Sequence, residues 1–307
     1  MGFADVLNIV QSVLELGLIG SLTVLALFLS YSMLNVCDLS TDGCFTLGAA
    51  VGAVVALSGH PYLAIPAAMG AGVLSGFVTA FLQTRMGINS LLSGIIVNTG
   101  LYSVNIAVMG GASLLNMNKT ETVFTKMKAL LDGTFLSGWH KVAVALIAVV
   151  LTIVFLCVFL KTRLGLAIRA TGDNAEMVRY SSINPVFTTT VGLCVANAFT
   201  ALSGCLLAQY QKLADINMGQ GMVTVALASL LIGGTMFTRG SVKLKAIGAV
   251  IGGVIFRLVY AVALRFQMPA YMLKLVSAVI VIIAIFIPYI KKQYPALSKK
   301  LFKRKEA

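Results

Sequence analysis

The sequence predicts an all-α, polytopic membrane protein, and three observations predict it. Of 307 residues, 59% are hydrophobic and only 11% charged, whereas an average soluble domain carries about 25% charge. A soluble chain of this size needs more polar surface to cover its core. Apolar runs recur at bilayer-spanning length, about twenty residues each. The basic residues gather between those runs and in the tail 291–307, the pattern of positive charge on the inner side of a membrane. The net charge of +13 is therefore assigned to membrane topology, and nucleic acid is not an expected partner.

Nine apolar segments are read in order: 11–34, 45–59, 62–84, 90–110, 141–161, 185–209, 222–237, 244–265 and 271–290. The tail, with seven Lys and Arg residues, places the C-terminus inside. Counting back through nine spans puts the N-terminus outside, which suits Asp5 and Glu15. Arg85, then Lys161, Arg163, Arg169 and Arg179, then Arg239, Lys243 and Lys245 fall on the inner connections. MGFADVLNIV lacks the basic start and small-residue cleavage site of a secretory signal. In the outer loop 111–140, Val123, Met127, Leu130 and Leu131 fall on one helical face and Lys126 and Lys128 on the other. This predicts a helix lying on the outer surface.

An internal repeat organises the spans. Cys37-Asp38-Leu39-Ser40 resembles Ala214-Asp215-Ile216-Asn217 at an offset of 177 residues, and Gly43 corresponds to Gly221 at 178. Spans 1–4 (about 11–110) then match spans 6–9 (about 185–290), with 141–161 as connector. Four spans plus one is odd, so the halves lie inverted in the membrane, a recurrent transporter architecture. The chain reads as a single domain over 1–307. The second and seventh spans are both short, and each follows a polar, glycine-containing stretch. Such interruptions in matching positions point to a translocation path, because irregular backbone at membrane depth must line water or be buried in protein. Asp38, Ser40, Thr41, Asn217 and Gln220 are the candidate path residues there.

Arg257 is a further path candidate. It lies about eight residues, hence about 12 Å, from the outer end of its span. A charge at that depth costs at least ~2.5 kcal/mol unless paired or wet. It faces either an anionic group of a solute, or an acidic residue such as Asp215, or it snorkels. The five cysteines, odd in number, form no disulfide framework. His60 and His140 have no metal-ligand spacing. No Ser/His/Asp grouping suggests nucleophilic catalysis. Gly48, Gly52, Gly70, Gly72 and Gly76 are read as allowing close helix packing.

The polar segment 161–184 is too hydrophilic for lipid. Asp173 is expected to cap a short helix with Glu176 as its capping-box partner. Ala175, Met177, Val178 and Tyr180 give that helix apolar contacts. Ser182 or Asn184 caps the next helix, with Pro185 near its first position. The chain thus builds a cytoplasmic knob between two spans, a place for a partner.

TRLGLAIRATGDNAEMVRYSSIN (162–184) resembles the cytoplasmic signature of permease subunits of ATP-binding-cassette (ABC) importers of the branched-chain amino acid and ribose type. The matching positions are Gly165, Arg169-Ala170, Gly172, Asn174 and Ile183, with Ser182 in place of the usual Gly. Asp38-Leu39, Gly43 and Leu47-Gly48-Ala49 resemble that family's N-terminal motif. The motif wording is nearer to permeases tied to aromatic amino-acid uptake than to sugar permeases. The resemblance implies a permease that hydrolyses no ATP and pairs with a second copy. Separate ATPase subunits, which bind ATP and Mg, would dock on Arg169, Gly172, Asp173, Asn174, Glu176, Met177 and Arg179. An extracytoplasmic binding protein, soluble or a lipoprotein, would deliver the solute in a bacterial plasma membrane. The chain itself has no GxxxxGK[ST] phosphate loop. The alternative is an ion-coupled secondary transporter, which would leave the polar knob unused and would need further ionisable residues deep in the spans.

Overall fold

The structure, a computed structural model, describes residues 3–131, 137–237 and 241–265, with 275, 278–283 and 286 beyond them. Helices in chain order are α1 (Phe3–Leu27), continued by a π-helical turn Phe28–Met33, α2 (Thr41–Leu57), α3 (Ala64–Thr84), α4 (Ser90–Val108), α5 (Val123–Leu131), α6 (His140–Phe159), α7 (Arg163–Asp173), α8 (Ala175–Tyr180), α9 (Pro185–Gln211), α10 (Met222–Met236) and α11 (Val242–Arg265). Two short strands, β1 (Leu114–Asn116) and β2 (Leu213–Asp215), pair antiparallel with Leu115 opposite Ala214. The chain is therefore an all-α polytopic membrane protein with one small ribbon. Six described helices are long and apolar enough to cross a membrane, and α2 and α10 are shorter apolar helices. Eight of the nine predicted spans thus fall on described helices. The ninth, 271–290, lies largely outside the described residues, as does the tail 291–307.

Burial sorts these helices. The spanning windows of α1 and α9 are each 78% buried, against 28–39% for α3, α4, α6 and α11. Peripheral helices turn apolar side chains outward, as Leu74, Phe77, Leu151 and Val158 do, because lipid is their solvent. Contacts are exchanged between the halves: α3 packs on α9, and α11 packs on α1. The core of α2 is small. Gly48 faces the Ala201 backbone and Gly204 faces Phe45, so closely that a methyl at either would overlap main chain. Gly52, Gly72 and Gly76 also pack against α9, whereas Gly70 faces open space and needs no close neighbour.

α2 has 17 residues and α10 has 15, so they are about 26 and 22 Å long at 1.5 Å per residue. A hydrocarbon core is about 30 Å thick. Each is short because its N-terminus starts inside the protein. After α9 ends at the ribbon, the chain 213–221 runs back alongside α2. The Gly219 amide donates to Thr46 Oγ1 at 3.1 Å, and Gly221 reaches Asp42 Oδ2 at 2.9 Å. Asp42 lies 15 residues, about 22 Å, from the far end of α2.

The loop helix α5 differs from the sequence expectation in its face. Val123 and Phe124 are buried and Met127 packs on the core, whereas Leu130 is 74% exposed. Specific contacts set this rotation: Gln209 Oε1 accepts from Val123 N at 2.9 Å, and Phe124 meets Tyr210 edge-on at 5.8 Å. α5 is thereby bolted to the end of α9.

Candidate functional site

Two regions combine exposure with chemistry: the knob α7–α8 and the interior where α10 begins.

In the knob, Thr162 caps α7 by accepting from Gly165 N at 3.2 Å. Asp173 is the last residue of α7, and Asn174 caps α8, accepting from Met177 N at 3.0 Å. The cap expected at Asp173 is therefore one residue later. Asp173 is still helical, while Asn174 has the extended backbone (φ −160°, ψ 100°) that an N-cap requires. Asn184, not Ser182, caps α9 with Pro185 at its start. The knob is rigidly seated. Thr171 Oγ1 and Thr188 Oγ1 share a hydrogen bond of 2.8 Å. Gly172 lies against the Met33 carbonyl and Leu34, where a larger side chain would collide with main chain. Ile168 and Val178 are buried. Asp173, Asn174, Glu176, Met177 and Arg179 are exposed, and Arg169 and Gly172 half-buried. Of the apolar contacts expected for α8, Val178 alone is buried. Tyr180 points the other way and is 92% exposed.

The interior site is organised by two aspartates. Asp38 is 2% exposed. Its Oδ1 accepts from Ser40 N (2.8 Å) and Ser40 Oγ (2.6 Å), and its Oδ2 from Asn197 Nδ2 (2.8 Å). Thr41 Oγ1 donates to the Asp38 carbonyl at 2.9 Å. Asp38, Ser40 and Thr41 are thus packed between α2 and α9 and line none of the described cavities. Asp215 repeats the local turn, accepting from Asn217 N at 2.6 Å. Its carboxylate is not within ion-pair distance of Arg257 among the described residues, so the Asp215 pairing considered for that arginine is not formed. Asp42 was not singled out from the sequence, although it follows Ser40-Thr41 in the interrupting stretch. It caps α10 from another helix, with Oδ1 accepting from Val223 N (2.8 Å) and Oδ2 from Gly221 N (2.9 Å).

A cavity of about 530 Å³ lies between α1, α9, α10 and α11. Gln220, Thr224, Arg257 and Tyr260 supply polar groups, and Phe45, Phe256 and Leu207 are among the apolar ones. The structure therefore brings Gln220 and Arg257 into one cavity. Asn217 stands beside it, accepting from Gln220 Nε2 at 2.7 Å. The Arg257 guanidinium lies 5.1 Å from the Tyr260 ring centroid, a cation–π distance. Tyr260 was missed from sequence, although a residue three positions on shares a helix face. On the other side of Gln220 is a smaller cavity of about 270 Å³ whose wall includes Asp42, Asn98, Tyr102 and Asn105.

Residues 9–285 match the family described as branched-chain amino acid transport system / permease component. The chain belongs to that family. It is 32% identical over 272 residues to the tyrosine transport system permease protein of Clostridioides difficile (strain R20291), covering 88% of each chain. It is 31% identical to the uncharacterized protein RP368 of Rickettsia prowazekii (strain Madrid E), covering 91% of this chain and 97% of that protein. The ribose import permease protein RbsC of Escherichia coli (strain K12) is 25% identical over 81% of this chain and 76% of its own length. No solved structure matches. The chain is a multi-pass permease subunit of ABC-importer type, and nothing among these relatives favours the ion-coupled alternative.

Proposed function

We propose that this permease carries an amino acid inward, driven by separate ATPase subunits that dock on α7–α8. The observation that carries this reading is the knob itself. Two short capped helices project between α6 and α9 and present Asp173, Glu176, Met177, Arg179 and an almost fully exposed Tyr180. Their inner face is fixed to α1 through Gly172 and to α9 through Thr171–Thr188. A push on the knob is therefore delivered to the two most buried of the six long apolar helices. ATP and Mg belong to the partner, since this sequence has no phosphate loop.

Family membership supports ATPase and binding-protein partners in general, and the rest of the reading completes the assembly. A second copy completes a homodimer, an extracytoplasmic binding protein delivers the solute, and the α7–α8 end faces the cytoplasm with the tail. The halves form inverted repeats, which the exchanged packing of α3 on α9 and α11 on α1 supports. The amino-acid cargo is inferred from the tyrosine permease relative. The path runs past Gln220, Asn217 and Arg257, with Asp38, Ser40 and Thr41 behind it as the buried frame.

For the knob to shift an equilibrium, it must contact the ATPase differently in two states. Replacing Asp173–Arg179 by Gly and Ser, in the chain co-expressed with its ATPase, should abolish uptake and transport-stimulated ATP hydrolysis while the permease still folds in membranes. Normal uptake by that variant would overturn the assignment.

A further inference from the structure

The cavity at Arg257 is larger than a structural arginine needs, and Gln220, Thr224 and Tyr260 share its wall. Arg257 sits on α11 one turn before Tyr260, and its Cβ side approaches Gly17 of α1. Among the described residues no carboxylate lies within ion-pair distance of it. The buried carboxylate nearby in the fold, Glu15, is engaged elsewhere: it accepts from Tyr210 Oη at 2.7 Å and from Gln11 Nε2 at 2.9 Å. The α10 N-terminus is already satisfied by Asp42. A guanidinium at membrane depth is costly without an anion or water, and its planar fork matches a carboxylate.

We propose that this cavity is a solute-binding site in which Arg257 holds the carboxylate of an apolar amino acid during passage. The proposal rests on the amino-acid importer reading above and names the group that is recognised. About 530 Å³ falls within the range of small-molecule sites, roughly 300–1,000 Å³. Gln220 and Thr224 line the same cavity as Arg257 and can bond the polar end. Leu16, Leu207 and Tyr260, partly exposed on the cavity wall, can face an apolar body, with Phe45 and Phe256 packed behind them. The site takes an apolar amino acid and discriminates against the corresponding amine, because removing the carboxylate leaves the half-buried Arg257 without an anion.

The test is equilibrium binding of radiolabelled L-tyrosine, L-tryptophan and L-leucine to the full chain in nanodiscs. Tyramine, tryptamine and isopentylamine are the competitors. At least one amino acid should bind, and its amine should compete at least about tenfold more weakly. Arg257→Gln should lose that preference, and Arg257→Lys should keep part of it. Co-purification of the ATPase with each variant reports that the permease is folded. If none of the three amino acids binds, if amine and acid compete equally, or if Arg257→Gln binds as the unaltered chain does, the proposal is wrong. Failure of the ATPase to associate with the unaltered chain would instead overturn the importer reading and leave the binding result standing.

Discussion

Removing the Asp42 carboxylate should loosen α10, and the size of the effect follows from its two bonds. Oδ1 and Oδ2 satisfy the amides of Val223 and Gly221 at a helix start that lies about 22 Å along α2 from its far end. Water cannot readily replace the bond to Val223, which is buried. The Val223 amide left without an acceptor costs about 1–3 kcal/mol; the bond to Gly221 is exposed and adds little, so Asp42→Ala should cost roughly 1–3 kcal/mol. Asp42→Asn keeps one acceptor oxygen and turns an amide group toward the second N–H, so it should cost about half as much. At roughly 2–4 °C per kcal/mol for large domains, alanine should lower the melting midpoint in detergent by roughly 2–12 °C. Intrinsic fluorescence or circular dichroism reads this, with Glu121→Ala as control. That residue forms an exposed 3.5 Å pair with Lys126, worth under about 1 kcal/mol. If Asp42→Ala melts within about 1 °C of the unaltered chain, or above Asp42→Asn, the cap does not hold α10 as described.

Other variants probe the remaining contacts. Asn197→Leu removes the amide that donates to Asp38 Oδ2 and should cost about 1.5–3 kcal/mol, seen as a lower melting midpoint. Gly48→Val drives a side chain into the Ala201 backbone and should abolish the yield of monodisperse protein, since overpacking costs about 1–3 kcal/mol even where side chains can shift. Tyr180→Ala should leave the melting midpoint unchanged, because the residue is 92% exposed, yet reduce ATPase association in a pull-down. Gly172→Val should lower both stability and uptake, since it displaces α7 from the end of α1.

The spans were legible because lipid imposes a long apolar pattern, and eight of them fall on described helices, with α1 starting eight residues before its predicted span. The shortness of α2 and α10 was legible too, for the polar stretches that precede them also form the helix starts that meet at Asp42. Single-residue roles were less so. Asp173 and Asn174 are equally good caps by type, and only the end of α7 decides between them. Leu130 and Tyr180 follow helical spacing, but which face of so short a helix is buried depends on what it docks against, here Gln209 and Tyr210 for α5 and α9 for α8. Asp42 acts across 181 positions on Val223, a pairing that local spacing does not carry. Arg257 stood out because a charge in an apolar run is rare, whereas its cavity comes from the meeting of α1, α9, α10 and α11.

The central claim is that α7–α8 is where the ATPase touches this permease. A photo-crosslinking amino acid placed at Tyr180, and separately at Tyr62 beyond the opposite end of α2, tests it most directly in the assembled transporter. Both positions are more than half exposed. An adduct with the ATPase from position 180 and none from position 62 is the predicted result. Equal adducts from both, or none from position 180 in a complex that still transports, would contradict it.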